Sequence, residues 1–141
     1  MAPILTLTDA PDDDVDRVIG EGLADYNREK AGVADHRPLA VLLTDPETGA
    51  LLGGLSGRTS LGLLFIDLFH VPAALRGSGI GSRIMRMAED EALARGCVAS
   101  FLMTINFQAP EFYARHGYEE FGRIETLPDV SRVFMRKVLT A

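Results

Sequence analysis

The chain has 141 residues, a formal net charge of −6 and one cysteine. A chain of that length makes one domain that buries roughly 68–70% of its unfolded surface, so a single domain over 1–141 is expected. The composition, 47% hydrophobic and 24% charged, is globular rather than disordered. The acidic balance speaks against nucleic acid or an anionic membrane as the main partner. A lone Cys97 excludes an internal disulfide framework and a multi-cysteine metal site, and no histidines fall in a metal-ligand pattern. The opening Met-Ala-Pro-Ile-Leu-Thr lacks a leader pattern, and the longest apolar stretch, Leu61 to Val71, is short for a bilayer and carries Asp67 and His70. A soluble, cytoplasmic protein is expected.

In chain order, Ile4 to Thr8 reads as a short strand. Thr8-Asp9-Ala10-Pro11-Asp12-Asp13-Asp14 reads as a helix start, with a capping side chain, a proline and carboxylates at the positive end of the dipole. Val15, Val18, Ile19, Gly22, Leu23 and Tyr26 recur at helical spacing, so this helix is expected to bury one face and to end near Gly32. Leu39 to Thr44 and Ala50 to Gly57, joined by Asp45-Pro46-Glu47-Thr48-Gly49, form a predicted hairpin. Gly53, Gly54 and Gly57 point to a bend or a close backbone approach. Leu61 to Val71 is apolar on both faces and should be a central strand.

Pro72 ends that strand, and a glycine-rich turn leads into a helix that runs to about Arg95 and stops at Gly96, with Ile80, Ile84, Met87, Ala88 and Ala92 on its inner face. Val98 to Thr104 is the next strand, and strand, helix and strand in succession predict a parallel crossover. A short helix from about Ala109 to His116 ends at Gly117, and strands Tyr118 to Glu125 and Arg132 to Leu139 complete the chain.

The segment with chemical content is Val71-Pro72-Ala73-Ala74-Leu75-Arg76-Gly77-Ser78-Gly79-Ile80-Gly81-Ser82. A glycine-rich turn from a central strand into a helix leaves outward-facing amides at the positive end of the helix dipole, which suits a pyrophosphate. Arg76 adds a charge-assisted donor. A dinucleotide fingerprint fits poorly, because Ser82 stands where its third glycine belongs, and the Gly-Lys-Ser/Thr of a P-loop is absent.

Arg76, Gly79 and Gly81 fit the pattern R-x-x-G-x-G/A, and Asn106-Phe107-Gln108-Ala109-Pro110-Glu111-Phe112-Tyr113 fits N-x-x-A-x-x-x-Y. His116-Gly117-Tyr118 follows as a helix end. With these motifs the chain resembles the GNAT superfamily of N-acyltransferases, in particular small single-domain bacterial members. Specific motifs cover roughly residues 63 to 139, and the first third matches by layout.

The resemblance implies an α/β (α+β) fold with a central mixed, mostly antiparallel sheet, one splayed parallel strand pair and helices on both faces. It implies acetyl-CoA as donor, held between the splayed strands, and no metal. The backbone of Phe69, His70 and Val71 would pair with the pantetheine amides. Arg76, Gly77, Ser78, Gly79, Ile80, Gly81 and Ser82 would hold the pyrophosphate, and Asn106 would meet the pantetheine arm. Tyr113 takes the position of the general acid, where a phenol near sulfur can protonate a departing thiolate. Asp67 is the candidate base for an incoming ammonium, placed by strand alternation on the face of Phe65, Phe69 and Val71. An ordinary structural pairing is as good a reading of that carboxylate. Tyr26, Asn27 and Arg37 are candidate acceptor contacts, and each also reads as plain surface. Cys97 is expected to be an inert core thiol. The favoured acceptor is a primary amine on a small molecule. The alternatives are a protein lysine or N-terminus, a CoA-binding sensor without turnover, and an adenine-nucleotide-binding protein. A homodimer is expected on the resemblance alone.

Overall fold

A computed structural model describes residues 1–140. These residues fall into two compact units, Met1–Ala34 and a larger one from Asp35 onward.

The first unit is built on helix α1, Asp13–Ala31. Its cap is Asp12, within the expected helix start: the Asp12 carboxylate accepts from the Asp14 amide at 3.1 Å. Asp13, Asp14 and Asp16 lie in the first turn, and Gly32 closes the helix in the left-handed region at φ 81°. The expected strand at Ile4–Thr8 does not form. A strand needs a ladder partner, and this unit holds only a helix. The expected apolar stripe lies along α1, but the unit buries none of its residues.

The second unit holds six strands in the order β1-β2-β3-β4-β6-β5. They are β1 Arg37–Thr44, β2 Leu51–Ser60, β3 Leu63–His70, β4 Ala99–Ile105, β5 Glu119–Leu127 and β6 Val130–Val138. Helices α2, Ile80–Ala94, and α3, Pro110–Arg115, follow β3 and β4. Four neighbouring pairs are antiparallel, and β3 with β4 is the parallel pair that the crossover predicts. β3 is central, as its two-sided apolarity requires.

Helix α2 packs on β1, β2 and β3. The core side of the sheet supplies Leu39, Leu55, Leu64, Ile66, Leu102, Val133 and Met135, all buried. Helix α2 meets them with Ile84, Met85, Ala88 and Ala92. Met87, expected on that face, is exposed, and Met85 is fully buried. The buried arc is centred near Ala88 and Ala92, which brings Met85 in and turns Met87 out. The Arg95 guanidinium pins the helix end to the sheet, donating to Glu91 at 2.7 Å, the Pro38 carbonyl at 3.0 Å and Thr59 Oγ1 at 3.1 Å. Beneath α2, the Tyr118 hydroxyl donates to Glu89 Oε2 at 3.0 Å and lies 2.8 Å from Ser100 Oγ, and Lys137 Nζ pairs with Glu89 Oε1 at 2.7 Å.

Pairing between β2 and β3 slips at one place. Gly57 faces Ile66 and Ser56 faces Leu68, so Asp67 is the extra residue of a β-bulge. A Cβ at Gly57 would strike the Phe65 carbonyl, and one at Gly53 the His70 carbonyl. The close backbone approach expected of these glycines is therefore present.

Candidate active site

The bulge changes which way β3 points. Phe65 lies on the sheet face away from α2, stacked on Phe101 at 4.8 Å with the Arg58 guanidinium 4.4 Å above it. Beyond Asp67, Phe69 turns to the core side and packs against Phe112 at 5.5 Å and Tyr113 at 6.2 Å. Simple alternation puts Asp67 on one face with Phe65, Phe69 and Val71. The bulge overturns that placement, because one inserted residue flips every later side chain. Asp67 is exposed rather than set among apolar groups.

The bulge also marks where the parallel strands part. Leu63 to Ile66 pair with Ala99 to Leu102, and no pairing of β3 with β4 continues past Ile66 and Leu102. The β4-facing backbone of Asp67, Leu68, Phe69 and His70 is left without a ladder partner on that side. A wedge opens between these residues and Met103 to Ile105.

At the mouth of the wedge the chain leaves β3 through Val71 and Pro72, makes one 3₁₀ turn at Ala73–Leu75 and enters α2. Arg76 Nε donates to the Val71 carbonyl at 2.8 Å, and the Ser78 hydroxyl donates to the Leu75 carbonyl at 2.7 Å. Both side chains brace the turn from within. Gly79 caps α2 at φ 83°, without a side-chain cap and without an acidic residue in the first turn. The first intrahelical bond runs from the Arg83 amide to the Gly79 carbonyl, so Ile80, Gly81 and Ser82 present amides without intrahelical partners. Gly81 is small for a different reason, since a Cβ there would sit 3.3 Å from the Phe112 ring. Amides, dipole and the absence of acidic groups together make an anion cradle.

Tyr113 stands across from the open end of β3. Its ring is buried, and burial pushes the phenol up to about 12, which keeps it protonated at neutral pH. Its hydroxyl is not an orphaned buried group. Ring contacts with Phe69, Phe112 and Tyr118 hold it in place.

Other expected site residues sit elsewhere. The Asn106 side chain clips the β5–β6 turn, donating to the Asp129 carbonyl at 3.1 Å and accepting from the Ser131 amide at 3.0 Å. Arg37 lies at the end of β2 opposite to the glycine turn, paired with Thr59, whereas His70 pairs with Gly54. There it borders a cavity of about 260 Å³ with Asp35, Glu91, Arg95 and Cys97. Tyr26 and Asn27 are neighbours near the end of α1, where Lys30 Nζ lies 5.7 Å from the Tyr26 ring. The Cys97 thiol is buried, and that burial raises its pKa, against a nucleophilic role.

Sequence reasoning missed three contributors. Phe112 wedges between Phe69 and Gly81, and only the smallness of Gly81 hints at it. Gln108 closes the end of β4, its Oε1 accepting from the Ile105 amide at 3.1 Å. His116 Nε2 lies 3.0 Å from Ser82 Oγ. No group of three or more potential metal-ligating side chains occurs among the described residues. No helix there is long and apolar enough to cross a membrane.

Among known proteins the chain is similar to acetyltransferases. The profile of the acetyltransferase (GNAT) family matches residues 7–118. The chain is 35% identical over 121 residues to acetyltransferase Atu2258 of Agrobacterium fabrum (strain C58), covering 86% of this chain and 88% of that protein. It is 42% identical over 99 residues to blasticidin-S acetyltransferase of Streptomyces morookaense, covering 68% and 73% respectively. A crystal structure from Agrobacterium tumefaciens matches with a TM-score of 0.85 at 32% identity, over 96% of this chain and 99% of that one.

Proposed function

The chain belongs to the GNAT acetyltransferase family, and from that premise we propose that it moves the acetyl group of acetyl-CoA directly onto a primary amine of a small molecule. It is an acetyltransferase by family, and members of that family use acetyl-CoA as donor. The observation that carries the reading is the parting of β3 from β4 beside an uncapped helix N-terminus, with Tyr113 across the gap. The relative named for blasticidin-S, a small molecule, supports a small acceptor. The family match begins in the first unit and runs through most of the second, which supports one acetyltransferase domain over the whole chain.

Each part of the wedge has a task in this proposal. The free β4-facing backbone near Phe69, His70 and Val71 takes the pantetheine arm as an added strand would. The amides from Gly77 to Ser82 take the pyrophosphate, while Arg76 holds Val71 and the turn in register and can offer its remaining N–H groups. Asn106 has both polar ends on backbone already, so it shapes the wedge wall and reaches the arm only through its second amide hydrogen.

Asp67, exposed at the bulge where the strands separate, takes a proton from the acceptor ammonium, directly or through water. The free amine attacks the thioester carbonyl. A C–N bond forms, the C–S bond breaks, the Tyr113 phenol gives its proton to the departing CoA thiolate, and the second proton shed by the new amide nitrogen passes through water to restore that phenol. A phenol held near 12 by burial is fully protonated when that step begins. Arg37, at the far end of the sheet, is poorly placed to contact the acceptor.

The test is release of CoA thiol from acetyl-CoA against a panel of polyamines, amino acids, aminoglycosides, aminonucleosides, arylamines and lysine peptides. Turnover with one small-amine class is expected. Turnover with peptides alone would move the acceptor to proteins. CoA binding with no turnover across the panel would favour the sensor.

A further inference from the structure

We infer that His116 is a positioning residue for the pyrophosphate turn: its Nε2–H donates to Ser82 Oγ and so aims the Ser82 hydroxyl proton at a bound phosphate. The inference rests on the reading above that the α2 turn takes the CoA pyrophosphate.

His116 closes α3, three residues after Tyr113. Its ring packs against Phe112, centroids 4.6 Å apart and planes tilted by 48°, and Phe112 in turn faces Gly81. That contact restrains the imidazole, and Nε2 ends 3.0 Å from Ser82 Oγ. Ser82 is the third residue of α2, beside the amides that have no intrahelical partner.

A serine hydroxyl has one proton to give and two lone pairs. When Nε2 is bare, Ser82 gives its proton to the ring and turns lone pairs outward. A phosphate has only acceptors to offer, so that arrangement repels it. When Nε2 carries the proton, the ring donates to Oγ, and the Ser82 proton is free for a phosphate oxygen. An anionic phosphate selects this second state, since a hydrogen bond to a charged acceptor is the stronger kind. Burial lowers the His116 pKa, against a raising contribution from Glu89 and with Lys137, Arg115 and Arg86 lowering it further. The ring therefore meets its ligand neutral, and the choice between tautomers carries the effect. The contact also joins the helix that bears Tyr113 to the turn that holds the donor.

The experiment uses the full chain, CoA as the probe, calorimetry and ¹⁵N spectra of the histidine rings. Adding CoA to the wild type is expected to shift His116 Nε2 to its protonated form. The CoA dissociation constant is expected to rise about 10-fold in Ser82→Ala and about as much in His116→Phe, which keeps the ring contact and loses the donor. The double variant should bind no more weakly than Ser82→Ala, and His116→Gln, which keeps an N–H donor, should recover most of the affinity. Full additivity of the two substitutions, or an Nε2 that stays bare with CoA bound, overturns the inference and leaves the CoA reading intact. A wild type that does not bind CoA overturns that reading and the inference with it. If His116→Phe fails to fold, the wild-type spectrum alone decides.

Discussion

Strand β3 behaves as two strands placed end to end. From Leu63 to Ile66 it is paired on both sides, and from Leu68 to His70 only β2 remains. Leu64 in the first half is 0% exposed, and Leu68 in the second is 67% exposed. The first half sends Leu64 and Ile66 into the core, and the second half borders the wedge. One inserted residue at Asp67 divides them. A bulge bends its strand, and here the strand turns away from its parallel neighbour without losing its antiparallel one. In the proposed function, the donor site is the gap left where the sheet is not completed.

The largest expected effect on that division falls on the group facing the open half. Tyr113→Phe should lower kcat by about 100-fold or more while CoA binding stays as it was, because the ring packing survives and only the proton donor is lost. Steady-state kinetics with parallel calorimetry would show it, and equal losses in both would assign Tyr113 to packing instead. Next come the two leucines. Leu64→Ala should cost about 3 kcal/mol in urea unfolding, as a fully buried side chain does. Leu68→Ala should stay within about 0.5 kcal/mol. Similar costs at both positions would erase the contrast between the halves.

Gly57→Ala tests the divider. Its Cβ would meet the Phe65 carbonyl, so backbone must move, at about 1–3 kcal/mol. Because the bulge moves with it, the KM for acetyl-CoA should rise as well, whereas a purely structural glycine would change stability alone. The smallest effect is on pH dependence. Burial holds the folded pKa of His116 below its ordinary value of 6.5. The unfolded chain then binds more protons between the folded pKa and about 6.5, so stability rises with pH across that window and falls on acidification through it. Melting temperatures of the wild type should drop more between pH 7.5 and 5.5 than those of His116→Phe.

Much of this molecule is legible locally. Gly32, Gly96 and Gly117 stop their helices in the left-handed region, as expected of glycine after a helical stretch. The two motifs around Arg76 and Tyr113 lie on the turn and the helix their spacing predicts. Less legible are features whose cause lies on another strand or helix. Nothing near Asp67 in the sequence announces the bulge, because the slip belongs to the pairing with Ser56 and Gly57. Asn106 reads equally as a ligand contact or a loop residue until the β5–β6 turn arrives to take its amide. Arg37 is near the first helix in sequence, yet the hairpin carries it to the end of the sheet away from the glycine turn.

By itself, then, the amino-acid sequence determined the helices, the six strands of the sheet, the parallel crossover and the glycine turn, though not the absence of a strand at Ile4–Thr8. These depend on periodicity, caps and backbone freedom, which act over a few residues, while the family rests on the resemblance of two motifs. Only the tertiary structure decided which face of β3 each side chain takes, where β3 and β4 part and which polar side chains remain free to meet a ligand. Those outcomes depend on register between segments far apart in the chain, where a single extra residue reverses every side chain that follows it.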